Sequence, residues 1–122
     1  MTQAAEIGAS GIGKEFGQFT ALADITLTVA RGEFLTLLGP SGSGKTTFLM
    51  VLSGFELPTS GRLALDGQDM TDMPAERRGF GMVFQGYALF PHMTVEDNIA
   101  FPLKVQGRSA AEVKRRVAEM VE

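Results

Sequence analysis

Gly39, Gly44, Lys45 and Thr46 stand at the spacing G-x-x-x-x-G-K-[ST], inside the stretch LLGPSGSGKTTFLMVL at 37–52. Residues of these types at this spacing hold a chain of phosphates. Gly39, Gly42 and Gly44 leave the backbone bare, so that consecutive N–H groups can point at phosphate oxygens as an anion nest. Ser41, Ser43 and Thr47 complete the binding stretch. The Lys45 ammonium would bridge the β- and γ-phosphates, and the Thr46 hydroxyl would be a magnesium ligand.

Such a loop works only if an element on each side holds it. Before it lies Phe34 to Leu38, apolar at nearly every position, which reads as a strand buried on both faces of a parallel sheet. After it, Thr46 to Ser53 reads as an apolar helix, with Gly54 as its stop. The helix N-terminus would add unpaired N–H groups and a positive dipole end. A flexible Gly/Ser connector, the competing reading, needs neither element. Gly11-Ile12-Gly13-Lys14 superficially resembles the motif but lacks both, and reads as a turn.

Elsewhere, residues 1–12 read as a loose N-terminal segment. Ile25, Leu27 and Val29 alternate with polar or small residues, as in a half-exposed antiparallel strand that turns at Arg31-Gly32. Leu63 and Leu65 alternate between turns at Pro58 to Gly61 and at Asp66-Gly67. Asp72 is placed to cap a short helix with Pro74 early in it. Phe80 to Phe84 reads as a second buried strand, ending in Gln85. Thr94 and Asp97, then Ser109 and Glu112, have capping-box spacing for two helices. Pro102 is expected to break or kink the first of these after Phe101. Val113, Val117, Met120 and Val121 form one apolar face of the second. That helix reaches Glu122 without a stop signal, so the sequence is expected to continue. Arg77 and Arg78 are expected to form surface salt bridges.

The 122 residues leave room for one domain. A hydrophobic fraction of 44% and a charged fraction of 20% are ordinary for a globular chain. The net charge of −3 is no footprint for nucleic acid, and with zero cysteines there is no disulfide framework. No stretch has the length of a membrane span or the layout of a signal peptide.

Two stretches carry a family resemblance. GEFLTLLGPSGSGKTTFLMVLSGFELPTSG resembles the Walker A region, and GMVFQGYALFPHMTVEDNIAFPLK the Q-loop region, of the ATPase subunit of a bacterial ABC importer. The likeness covers roughly residues 13–122. It implies an α/β P-loop NTPase of ABC type, with an antiparallel β layer, part of a mostly parallel core sheet and flanking helices. It implies that 13–122 is the N-terminal part of one ATP-binding domain. The cofactors would be ATP and Mg2+. Gln85 takes the position of the glutamine that touches magnesium and the attacking water, a catalytic role shared with Lys45. Phe16 matches the aromatic residue that stacks on adenine. The segment with Tyr87, Phe90 and Met93 matches the docking surface for transmembrane permease subunits, and His92, the single histidine, lies in it. A second ATPase subunit would complete a head-to-tail dimer, peripheral on the cytoplasmic face of the inner membrane.

Gly86 stands where serine or asparagine is frequent in the family, and Pro102 where glycine is frequent. An LSGGQ-like signature, a strand ending in Asp-Glu and a later catalytic histidine do not occur in the sequence. The 122-residue chain alone is therefore expected to be inactive, and its full-length parent to hydrolyse ATP for solute import, with polyamines favoured by resemblance. The alternatives are a non-catalytic nucleotide-binding fragment and another P-loop phosphotransferase. No guanine-recognition motif appears.

Overall fold

The alternating residues Ile25, Leu27 and Val29 lie on a long strand in the computed structural model, which describes residues 4–122. The chain divides into two units, one ending at Met82 and one running from Val83 to Glu122.

In the first unit, β1 (Ile7–Phe16) pairs with β2 (Phe19–Val29) on one side and β3 (Ser60–Leu65) on the other. The short β4 (Gln68–Asp69) extends the sheet to the order β2-β1-β3-β4, antiparallel throughout. The helix α1 (Lys45–Ser53) contributes Phe48 and Val51 to a core with Ala9, Ile12, Leu22, Leu63 and Met70. Gly54 ends α1 as expected, its N–H donating to the Met50 carbonyl at 3.1 Å. The helix α2 (Ala75–Arg78) is a single turn.

β1 corrects the expectation of a loose segment at 1–12 and of a turn at Gly11 to Lys14. Residues 1–3 lie outside the described residues, but Ile7 onward is strand, and Ala9 and Ile12 are core. The register shifts between Ala9 and Ile12, where Gly11 has φ 62°. That irregularity lets two residues an odd number apart both face inward. It is also why no period-2 pattern shows in the sequence. The same place demands a second glycine: a Cβ on Gly61 would sit 2.4 Å from the Gly11 carbonyl oxygen.

The runs Phe34 to Leu38 and Phe80 to Phe84 are not strands, contrary to expectation. Phe34, Leu38 and Val83 are 93%, 91% and 86% exposed. Only Leu37 and Phe80 of these runs pack against the core. A strand buried on two faces needs ladder neighbours and a cover on each side. Among the described residues every ladder position belongs to the antiparallel sheet. Asp72 caps nothing: Pro74 is the N-cap of α2.

In the second unit, α3 (Val95–Val105) and α4 (Ala110–Val121) begin at the expected caps. Thr94 Oγ1 accepts from the Asp97 N–H at 3.0 Å, and Ser109 Oγ from the Glu112 N–H at 3.2 Å. Pro102 does not break α3, which continues to Val105. The ladder resumes past it, where the Pro102 carbonyl accepts from the Gln106 N–H at 3.0 Å. Of the α4 apolar face, Val113 is buried and Val117 half-buried, while Met120 and Val121 are exposed.

Candidate functional site

The phosphate-loop residues lead directly into α1. Gly44 is the N-cap, with φ 93° and no side-chain cap. A Cβ there would lie 2.7 Å from the Ala21 carbonyl oxygen of β2, and φ itself is left-handed, so glycine is required twice over. At Gly39 a Cβ would meet Ser43 Oγ at 2.7 Å. The loop is thus folded tightly on itself and against the sheet. Ser41, Gly42 and Thr46 are exposed, while Thr47 is half-buried.

Lys45 curls back across this loop. Its Nζ donates to the Gly39 carbonyl, to the Pro40 carbonyl at 2.7 Å and to Ser43 Oγ at 3.2 Å. These acceptors are neutral. A phosphate oxyanion is a stronger partner for an ammonium than any carbonyl. The first turn of α1 carries no acidic residue, so nothing there neutralises its positive end. Four N–H groups at a helix start have no partner within the helix. Bare backbone, an ammonium held by neutral acceptors and a helix terminus thus lie together, open to solvent.

Phe16 is also in the first unit, at the end of β1 beside the Gly17 turn. It is 45% exposed and outside the core cluster. Gln85 belongs to the second unit, where it is exposed in a turn with the Tyr87 N–H donating to the Phe84 carbonyl at 2.9 Å. Tyr87 and Ala88 have left-handed φ of 64° and 52°, strained for residues with a side chain. This turn leaves Tyr87 74% exposed. Phe90 stacks at a tilt on Phe101, ring centroids 4.8 Å apart, and Met93 is half-buried.

Two supporting residues were not foreseen. Arg78 is no surface ion-pair residue; it is 4% exposed. Its Nε donates to the Met73 carbonyl at 2.7 Å, and its other nitrogens to Val51 at 2.8 Å, Leu52 at 2.9 Å and Thr71 at 3.1 Å. It thereby ties down the last turn of α1, the helix whose first turn holds the loop. Burial pushes its pKa down, and the nearby Asp72 charge opposes that. Asn98 of α3 accepts from the Phe90 N–H at 2.9 Å and donates to the Thr94 carbonyl at 2.8 Å, fixing the segment before the helix. Neither role had a sequence signal, because both partner sets are backbone groups.

Comparison with known proteins identifies the family. Residues 22–122 match the ABC transporter family. The chain is 56% identical over 109 residues to the spermidine/putrescine import ATP-binding protein PotA of Nitrosospira multiformis, covering 89% of this chain and 30% of that protein. It is 54% identical to the protein of the same name from Nitrosomonas europaea, with the same coverage. The chain thus spans about 30% of the length of these relatives. A dimeric bacterial ABC transporter cassette superposes with a TM-score of 0.80 at 32% identity, over 93% of this chain and 54% of the other. A dimeric ATP-binding cassette bound to ADP and Pi in a post-hydrolysis state superposes with a TM-score of 0.79 at 31% identity, with the same coverage. No helix among the described residues is long and apolar enough to cross a membrane. With its phosphate loop at the start of α1 and this match across 22–122, the chain belongs to the ABC transporter family.

Proposed function

We propose that this chain supplies the nucleotide-binding front of an ATPase subunit that drives solute import, with polyamines as the favoured cargo. One observation carries the reading. The Lys45 ammonium lies across a glycine-lined loop at a helix N-terminus, held only by neutral acceptors that a polyphosphate would displace. Residues 13–122 would be the N-terminal part of one ATP-binding domain. The names of the PotA relatives support the cargo class.

In this reading Gly39, Ser41, Gly42, Ser43, Gly44, Lys45, Thr46 and Thr47 hold the ATP phosphates, and Phe16 offers its exposed ring to the base. Among the described residues no cluster of His, Cys, Asp or Glu could hold a metal ion. Mg2+ would therefore enter with the phosphates, and the Thr46 hydroxyl is a hard oxygen donor suited to it. Bound Mg2+ neutralises charge on the phosphate oxygens. Gln85 would orient the water and contribute to the metal's surroundings. Tyr87, Phe90 and Met93 would dock a transmembrane permease, a second ATPase subunit would complete a head-to-tail dimer, and the assembly would sit at the cytoplasmic face of the inner membrane.

Titration of the natural full-length protein with ATP tests this. Lys45→Ala should weaken binding by roughly 2–4 kcal/mol, because phosphate charge loses its counter-charge. Thr46→Ala should remove only the magnesium-dependent part. Gln85→Ala should keep binding and slow turnover. Wild-type binding and hydrolysis in Lys45→Ala would refute the phosphate-loop reading. Phe90→Asp should abolish transport and spare the subunit's own ATPase; normal transport would remove the docking assignment.

A further inference from the structure

Lys14 stands outside the phosphate loop, yet its side chain is only 15% exposed. Its Nζ donates to the Leu57 carbonyl at 2.8 Å and pairs with Glu56 Oε2 at 3.3 Å. It also lies over the Phe16 ring, 5.1 Å from the centroid. The backing for this ammonium is itself fastened to β1. The Thr59 N–H donates to the Gly13 carbonyl at 2.8 Å, and the Glu15 N–H to Thr59 Oγ1 at 3.0 Å. A carboxylate, a carbonyl and a segment laced to the strand hold the cation where it is. A free surface lysine would sample many rotamers; this one is pinned against one face of an aromatic ring.

We propose that Lys14 is a positioning residue that sets base recognition. Its ammonium closes one face of Phe16 and leaves the opposite face as the stacking surface for a purine ring. This rests on the reading of Phe16 as the base platform. The physical reason is the ring quadrupole. A cation over one face draws π density toward itself and makes the other face less negative. An electron-rich adenine then stacks there with less repulsion. The pinned cation also limits the tilt of the ring, so the platform is preformed before a ligand arrives.

The test compares ATP with inorganic triphosphate, which has the phosphates and no base, on the natural full-length protein. Lys14→Met keeps the aliphatic stem and should weaken ATP roughly three- to tenfold while leaving triphosphate unchanged. Lys14→Arg should restore the ATP affinity. If Lys14→Met leaves ATP unchanged, or weakens both probes equally, the proposal is wrong and Lys14 only supports the fold. Glu56→Gln keeps the cation but loosens it, and serves if Lys14→Met does not fold. A smaller drop for ATP alone supports the proposal, and no drop overturns it. Phe16→Ala separates the two layers. If it leaves the ratio of ATP to triphosphate affinity unchanged, the base-platform reading fails, and Lys14 falls with it. If it lowers that ratio while Lys14→Met does not, only Lys14 is overturned.

Discussion

Arg78 in the first unit and Asn98 in the second do the same job with different chemistry. Each gathers backbone groups of a loop and fastens them to a helix. Arg78 collects four carbonyls, from Val51, Leu52, Thr71 and Met73, in a place nearly closed to water. Asn98 accepts from the Phe90 N–H and donates to the Thr94 carbonyl, with longer contacts to the Phe90 and Met93 carbonyls, where water still reaches. The difference follows from solvent. A buried carbonyl has no alternative partner, so a five-donor guanidinium repays its own desolvation by satisfying several at once. At a wet loop each group can return to water, and a neutral amide suffices. The same logic separates Arg78 from Arg115 and Arg116, which pair with Glu119 on the exposed side of α4. Such pairs contribute little.

The largest effect should come from Arg78→Met. It takes the guanidinium away from four carbonyls, of which those of Val51 and Thr71 are buried, and should cost about 3 kcal/mol, read from the urea unfolding midpoint. Arg78→Lys should recover only part of this, since one ammonium cannot reproduce the guanidinium fork. Wild-type stability in Arg78→Met would erase the contrast. Asn98→Ala should come next, at about 1 kcal/mol, and should act locally. Its signature is faster amide exchange at Phe90 without comparable change in β1. Exchange that rises equally everywhere would mean Asn98 supports the whole chain.

The smallest effect concerns Asp69. The Thr71 hydroxyl and then the Thr71 N–H hold its carboxyl below the ordinary aspartate pKa, with the Arg62 charge adding to this against a little burial. A folded pKa below the unfolded one stabilises above the unfolded value, and that gain is lost as the pH falls through the folded pKa. Asp69→Asn should therefore lower Tm slightly at neutral pH, and the gap should close on acidification. A gap that persists at low pH would assign the effect to shape and not to charge.

The glycine loop leading into α1, the stop at Gly54 and the caps Thr94 and Ser109 were legible in the sequence because each is local. A handful of neighbouring residues carries the whole physical cause: bare backbone for an anion, or a hydroxyl three residues before an orphan N–H. Antiparallel β2 was legible because alternation is a property of one strand. β1 was not, since the irregularity at Gly11 puts Ala9 and Ile12 on one side and erases the period. Nor was the state of Phe34 to Leu38, because an apolar run becomes a buried strand only when neighbours on both sides supply a ladder and a cover. Arg78 was misplaced for the related reason that its partners are backbone carbonyls up to 27 residues away, which no residue type announces. The sequence alone determined where a bare glycine loop runs into the start of a helix. The tertiary structure decided which charges are buried, which apolar runs are covered, and that Lys14 stands against the ring of Phe16.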